Sequence, residues 1–173
     1  MASIGMAFAG LTSGYVVAKG SLEAKNIWQT IALPSAFYIS TGAIILSSIL
    51  LIRGQQAFSK GSPQTALRLL QVAAVLGVVF LGFQLAGWQH LVDANIWFTG
   101  PKSTPAGSWL YVITWFHWMH VVAGVMVLGV TTWKARQGRY TVDSHLGYDL
   151  AAQFWHFLGI LWIYLLLFLA FLR

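Results

Sequence analysis

The sequence predicts an all-α transmembrane protein, a single five-helix bundle. Three observations lead there. The chain is 58% hydrophobic and only 8% charged, whereas a soluble domain carries roughly 25% charged residues, so it has too little polar surface to stay in water. Its apolar residues gather into long stretches, close to the ~20 residues a helix needs to cross the hydrocarbon core at about 1.5 Å per residue. No Asp, Glu, Lys or Arg lies near the middle of any of these stretches. At 173 residues the chain suits one compact domain, so residues 1–173 read as a single integral membrane unit. The nine Trp fit bilayer interfaces, where amphipathic rings settle.

Five stretches qualify as spans. The first, 2–18, is short and carries Gly5, Gly10 and Gly14. The second, 30–52, has Pro34 in its first turn, where a missing N–H costs little. The third, 65–89, and the fourth, 109–133, are continuous apolar runs. The fifth, 149–172, is rich in Leu and aromatics. Between them lie KGSLEAKN, RGQQAFSKGSPQ, HLVDANIWFTGPKSTPAGS and KARQGRYTVDSHLGYD, polar or turn-forming throughout. No basic residue precedes Lys19, so no secretory leader is expected.

The charges set an expected orientation. If the second and fourth connections share one side, that side holds Arg53, Lys60, Arg68, Lys134, Arg136 and Arg139. The other holds Lys19, Lys25, Lys102 and Arg173. The richer side is expected to be cytoplasmic. An odd number of spans then puts the N-terminus in the cytoplasm and the C-terminus outside, in the periplasm of a bacterial inner membrane. The net charge of +6 belongs to this asymmetry, and no nucleic-acid partner is expected.

Composition also excludes chemistry. Without cysteine there is no disulfide, thiolate metal site, iron–sulfur cluster or covalently attached haem. The four acids, Glu23, Asp93, Asp143 and Asp149, all sit in connections or at a span boundary. An ion pump or proton-coupled transporter needs a group that changes charge inside the membrane. Only histidine could serve. His117 and His120 lie in WFHWMHVVAG, and His156 in FWHFLGILW. At about 1.5 Å per residue, His120 and His156 come to levels only about 4 Å apart. That spacing permits a haem or metal between two helices. Against it, Trp115, Trp118 and Met119 crowd the space a porphyrin would need, and no basic residue is placed for its propionates. The favoured reading is neutral imidazoles that hydrogen-bond between helices, each bond contributing about 0.6–2 kcal/mol.

Other side chains read as helix-contact faces. Ser40, Thr41, Ile44, Ser47 and Ser48 share one face of the second span by their spacing. Ala73 with Gly77, and Gly82 with Ala86, form small patches on the third, and His120, Gly124 and Thr131 a stripe on the fourth. Small and hydroxyl residues let helices approach closely. Gln84 and Trp88, near the end of the third span, and Trp155 and Trp162 in the fifth are candidate lipid or partner contacts.

Four stretches carry a resemblance: LPSAFYISTGAIILSS (33–48), LGVVFLGFQLAGW (76–88), TWFHWMHVVAG (114–124) and FWHFLGILWIYLL (154–166). In that order they resemble subunit III of the haem–copper terminal oxidases, the cytochrome c and quinol oxidase group. The aromatic-His-x-x-His-Val and Trp-His-Phe-x-x-x-x-Trp patterns are the most specific. The resemblance implies a five-helix bundle like the family's third to seventh helices. This chain departs from the family at Gly159, where Asp is frequent, and at Gly87, where an acid often precedes the aromatic. A carboxylate common in the helix corresponding to the first span is also absent, so roles that depend on those acids are not carried over.

The resemblance further implies a non-catalytic subunit that binds no haem or copper. It packs against catalytic subunit I beside subunit II, where those cofactors reside, and holds structural phospholipids. His117, His120 and His156 would then tie the last two helices together. The rivals are the related accessory subunit of a nitric oxide reductase, a haem b membrane anchor of a quinone-reactive enzyme and, weakened by the missing intramembrane charge, a transporter.

Overall fold

The computed structural model describes residues 1–140 and 145–172. Asp143 and Arg173, both used in the charge reading, lie outside the described residues. Five helices follow in order: α1 (Ala2–Glu23), α2 (Ser35–Ser59), α3 (Pro63–Asp93), α4 (Pro105–Arg136) and α5 (Leu146–Phe171). The protein is an all-α transmembrane bundle, with 81% of the described residues helical.

Helix ends explain where the spans and helices differ. α2 starts at Ser35 rather than at residue 30, because Pro34 serves as its N-cap with φ −59° and ψ 140°. A residue before proline is pushed out of the helical region, and residues 30–33 are accordingly non-helical. α4 opens on Thr104, whose side-chain oxygen accepts from Gly107 N at 3.1 Å, with Pro105 in the first turn. Four helix C-termini close the same way: Asn26, Gly61, Asn95 and Gly138 take positive φ just past the helix. The next amide then reaches back into the last turn, as in Ser62 N to Ala57 O at 2.9 Å and Ile96 N to Leu91 O at 2.9 Å. This is the Schellman arrangement, and glycine or asparagine tolerates its left-handed residue best.

α2, α3, α4 and α5 form a ring, each packed on its two neighbours, while α1 lies on the flank against α4. The side chains sort as a bilayer demands. The core holds Phe37, Ile44, Leu51, Leu70, Phe80, Ile113, Leu128, Trp155 and Trp162, together with the polar Ser40, Ser47, Gln84, Thr114, His117 and Thr131. The outer faces carry Ile39 and Leu46 of α2, Val75 and Val78 of α3, Met126 and Val130 of α4, and Ile160 and Leu167 of α5. Hydrocarbon, not water, suits such a surface, and polar groups find partners only inside.

Four of the five helices are long and apolar enough to cross a membrane: α2 to α5. α1 is not among them. Its four glycines at 5, 10, 14 and 20, with Ser3, Thr12 and Ser13, dilute its hydropathy.

Candidate functional site

The polar interior runs along the inner faces of the ring. At one end, Gln84 Nε2 of α3 donates to Ser40 Oγ of α2 at 2.8 Å. Ser40 Oγ donates in turn to Phe37 O at 2.8 Å. Beside it, Trp162 Nε1 of α5 donates to Thr41 Oγ1 at 2.9 Å. Trp88 Nε1 of α3 donates to Thr114 Oγ1 of α4 at 3.1 Å. Half-way along, Ser47 Oγ donates to Ala73 O across α2 and α3 at 2.9 Å. At the far end, Tyr148 OH of α5 donates to Leu51 O at 2.9 Å, and Gln55 Nε2 donates to Asp149 Oδ1 at 2.9 Å. Among the described residues, each neighbouring pair in the ring except α4 with α5 shares at least one such bond.

Small residues make these approaches possible. A Cβ added at Gly77 would stand 2.6 Å from the Trp155 ring and 3.1 Å from Val125. One at Gly124 would stand 2.8 Å from Leu158 Cδ1. Gly87 leaves room for the Phe37 ring, and Gly54 for the Tyr148 hydroxyl. The two patches on α3 part company: Ala73 and Gly77 face inward, while Gly82 meets open space and Ala86 is exposed.

Gln84, Trp88, Trp155 and Trp162, expected as lipid or partner contacts, are placed inside the bundle instead. Their helical positions put them on the faces that α3 and α5 turn toward their neighbours. Trp162 is wholly buried, edge-on to Phe37 at 5.7 Å and to Phe80 at 5.4 Å.

The histidines do not make the expected bonds. His117 is wholly buried, yet both of its ring nitrogens lack a hydrogen-bond partner among the described residues. It stacks on Trp162 at 5.3 Å, with Phe8 and Phe80 edge-on at 6.0 and 6.2 Å. Aromatic faces surround the ring on three sides, and none offers an acceptor. His120 turns toward α1 instead of α5. Its ring meets Phe8 at 5.8 Å, and its Nδ1 lies 2.7 Å from Phe116 O, one turn back in its own helix. His156 Nε2 is buried without a partner among the described residues. The stripe of His120, Gly124 and Thr131 therefore divides: His120 serves α1, Gly124 serves α5, and Thr131 Oγ1 donates to Val127 O at 2.8 Å.

Among the described residues, no three His, Cys, Asp or Glu side chains come together as a metal could require. What the interior can do chemically is join helices: indole, hydroxyl and amide donors find oxygen acceptors one helix away. The Tyr148 and Gln55 bonds escape the sequence reading. Their signal is faint, a glycine at 54 opposite a bulky tyrosine at a span boundary.

On this frame the comparisons with known proteins are decisive. The family model described as cytochrome c oxidase subunit III matches residues 25–172. The chain belongs to that family. The Synechocystis sp. protein named cytochrome c oxidase subunit 3 is 28% identical over 163 residues, covering 91% of this chain and 66% of that one. The Thermostichus vulcanus protein of the same name is 28% identical, covering 91% of this chain and 76% of its own. The Rickettsia prowazekii protein named probable cytochrome c oxidase subunit 3 is 30% identical, covering 76% of this chain and 46% of its own. The chain thus spans between about half and three quarters of these relatives' lengths. The family match begins just after α1 and takes in all of α2 to α5.

Proposed function

We propose that this chain is a non-catalytic accessory subunit of a respiratory haem–copper terminal oxidase. The family match over 25–172 carries the reading. The complex reduces oxygen, and its haem and copper lie in partner subunits. This chain sits directly against catalytic subunit I, with subunit II nearby, in a bacterial inner membrane. Its N-terminus is cytoplasmic and its C-terminus periplasmic. Its work is mechanical: an apolar plate joined internally by hydrogen bonds between neighbouring helices, with its apolar outer faces left for subunits and lipid.

Structural phospholipid is part of this reading. A groove of about 600 Å³ runs between α1 and α4, lined by Leu11, Tyr111, Trp115, Phe116 and Met119, with Phe98 from the α3–α4 connection. Its lining is almost wholly apolar, which suits an acyl chain.

The test is purification in mild detergent. We expect an oxygen-reducing haem–copper catalytic subunit to co-purify, and the isolated chain to show no Soret band. A nitric oxide reductase catalytic subunit in its place overturns the oxidase assignment. A Soret band belonging to this polypeptide overturns the accessory role and makes it a haem b anchor.

A further inference from the structure

A second groove, of about 460 Å³, lies between the end of α2 and the start of α3. Arg53, Gln56 and Lys60 follow one another along a face of α2, at three- and four-residue intervals. Thr65 faces them from the first turn of α3. That first turn brings the positive end of the α3 dipole and amides with no partner inside the helix. Deeper along the same face, Ile49, Ile52 and Leu69 complete the wall.

Two other cations on this side have partners. On the same side of the bundle Arg139 lies over the Trp133 ring, 5.8 Å from its centre. With its amide assigned so that the oxygen faces the guanidinium, Gln71 accepts from Arg136 at 2.8 Å. Neither Arg53 nor Lys60 has a side-chain hydrogen bond or ion pair among the described residues. Asp149, which meets Gln55 at this end of the bundle, is engaged by Gln55 and His145.

We propose that this groove holds the headgroup of an anionic phospholipid, with an acyl chain along Ile49, Ile52 and Leu69. The gradient argues for a lipid over a free anion. From Ile49 to Lys60 the α2 face climbs about 16 Å and passes from wholly apolar to cationic, as a phospholipid passes from chain to phosphate. Unpaired cations beside a negative leaflet attract such a headgroup. The site rests on the orientation proposed above, which places this end of the bundle at the cytoplasmic leaflet. It is distinct from the apolar groove beside α1.

The test uses the full chain in the complex with which it purifies, reconstituted in nanodiscs of phosphatidylcholine with a minor fraction of phosphatidylglycerol. Lipid retained after a detergent wash is counted by mass spectrometry. We expect the wild type to be enriched in phosphatidylglycerol and Arg53→Gln/Lys60→Gln to lose tightly held anionic lipid by roughly tenfold or more. Lys25→Gln/Lys102→Gln, the same charge change at the opposite end, should hold the wild-type level. Equal retention by the two double variants overturns the proposal. So does displacement of the lipid by inorganic phosphate in the wash, which would mark a simple anion site. Co-purifying subunits are identified from the same sample. An unexpected catalytic partner therefore sinks the oxidase reading without touching the lipid result, and the reverse holds equally.

Discussion

α3 and α1 are both helices of this bundle, yet they are held in opposite ways. α3 sits in the ring with glycines at its contacts, and its Gln84 and Trp88 each donate to a neighbouring helix. α1 touches the ring through a few large side chains. Phe8 meets Phe116, His117 and His120, and Tyr15 meets Trp28, Trp109 and Phe168. Two hydroxyl bonds add to this, Tyr15 OH to Leu172 O at 3.1 Å and Tyr164 OH to Thr12 Oγ1 at 3.2 Å. Gly5 and Gly10 meet nothing within 4 Å. α1 is also the helix outside the family match and outside the four apolar spans. The difference teaches that small residues mark a contact only where another helix has arrived. Gly77 and Gly87 of α3 are filled space; Gly5 and Gly10 of α1 are open, and Gly14 meets the ring only at Trp109.

Four substitutions probe that contrast. The largest loss should come from Trp162→Ala in the ring. It empties a wholly buried site and removes the bond to Thr41, which should cost about 3–5 kcal/mol. Unfolding of the purified chain in detergent, followed by circular dichroism, reads this directly. A loss under about 1 kcal/mol would mean the ring does not depend on its aromatic core. Next come two glycines compared with each other. Gly77→Leu drives atoms into Trp155 and Val125 and should cost about 1–3 kcal/mol. Gly10→Leu enters open space and should change stability by no more than about 0.5 kcal/mol. If the two prove equal in the same assay, the distinction between ring and flank fails. His117→Leu should also be mild. Both ring nitrogens are unpartnered, so an apolar group of similar size leaves no donor or acceptor stranded and should stay within about 1.5 kcal/mol. A loss rivalling that of Trp162→Ala would show that His117 bonds to a group outside these contacts.

Much of the fold was legible because a bilayer makes apolar runs speak plainly. The stretches at 65–89 and 109–133 each lie wholly within a helix, α3 and α4. Helix ends were harder, since they depend on single residues: Pro34 delayed α2, while Pro63 and Pro105 opened α3 and α4 ahead of their apolar runs. Faces were readable where spacing repeats. Ser40, Ile44 and Ser47 are all buried on α2. The histidines were not readable in this way. Their level along the axis follows from counting, but the neighbour each one meets depends on rotation about it. Counting along the axis therefore could not show that His120 points toward α1. The tryptophans misled for a related reason. An indole suits an interface and a buried Thr acceptor equally, and only the fold chooses.

The turn between α2 and α3 has a consequence for how the protein is made. Lys60, Gly61 and Ser62 alone separate the two helices, too few to leave one span waiting in the ribosomal exit path while its partner settles. So short a turn favours entry as a hairpin. Within it Ser47 satisfies itself on Ala73 O, and Gln84 on Ser40, with no residue of α4 or α5 needed.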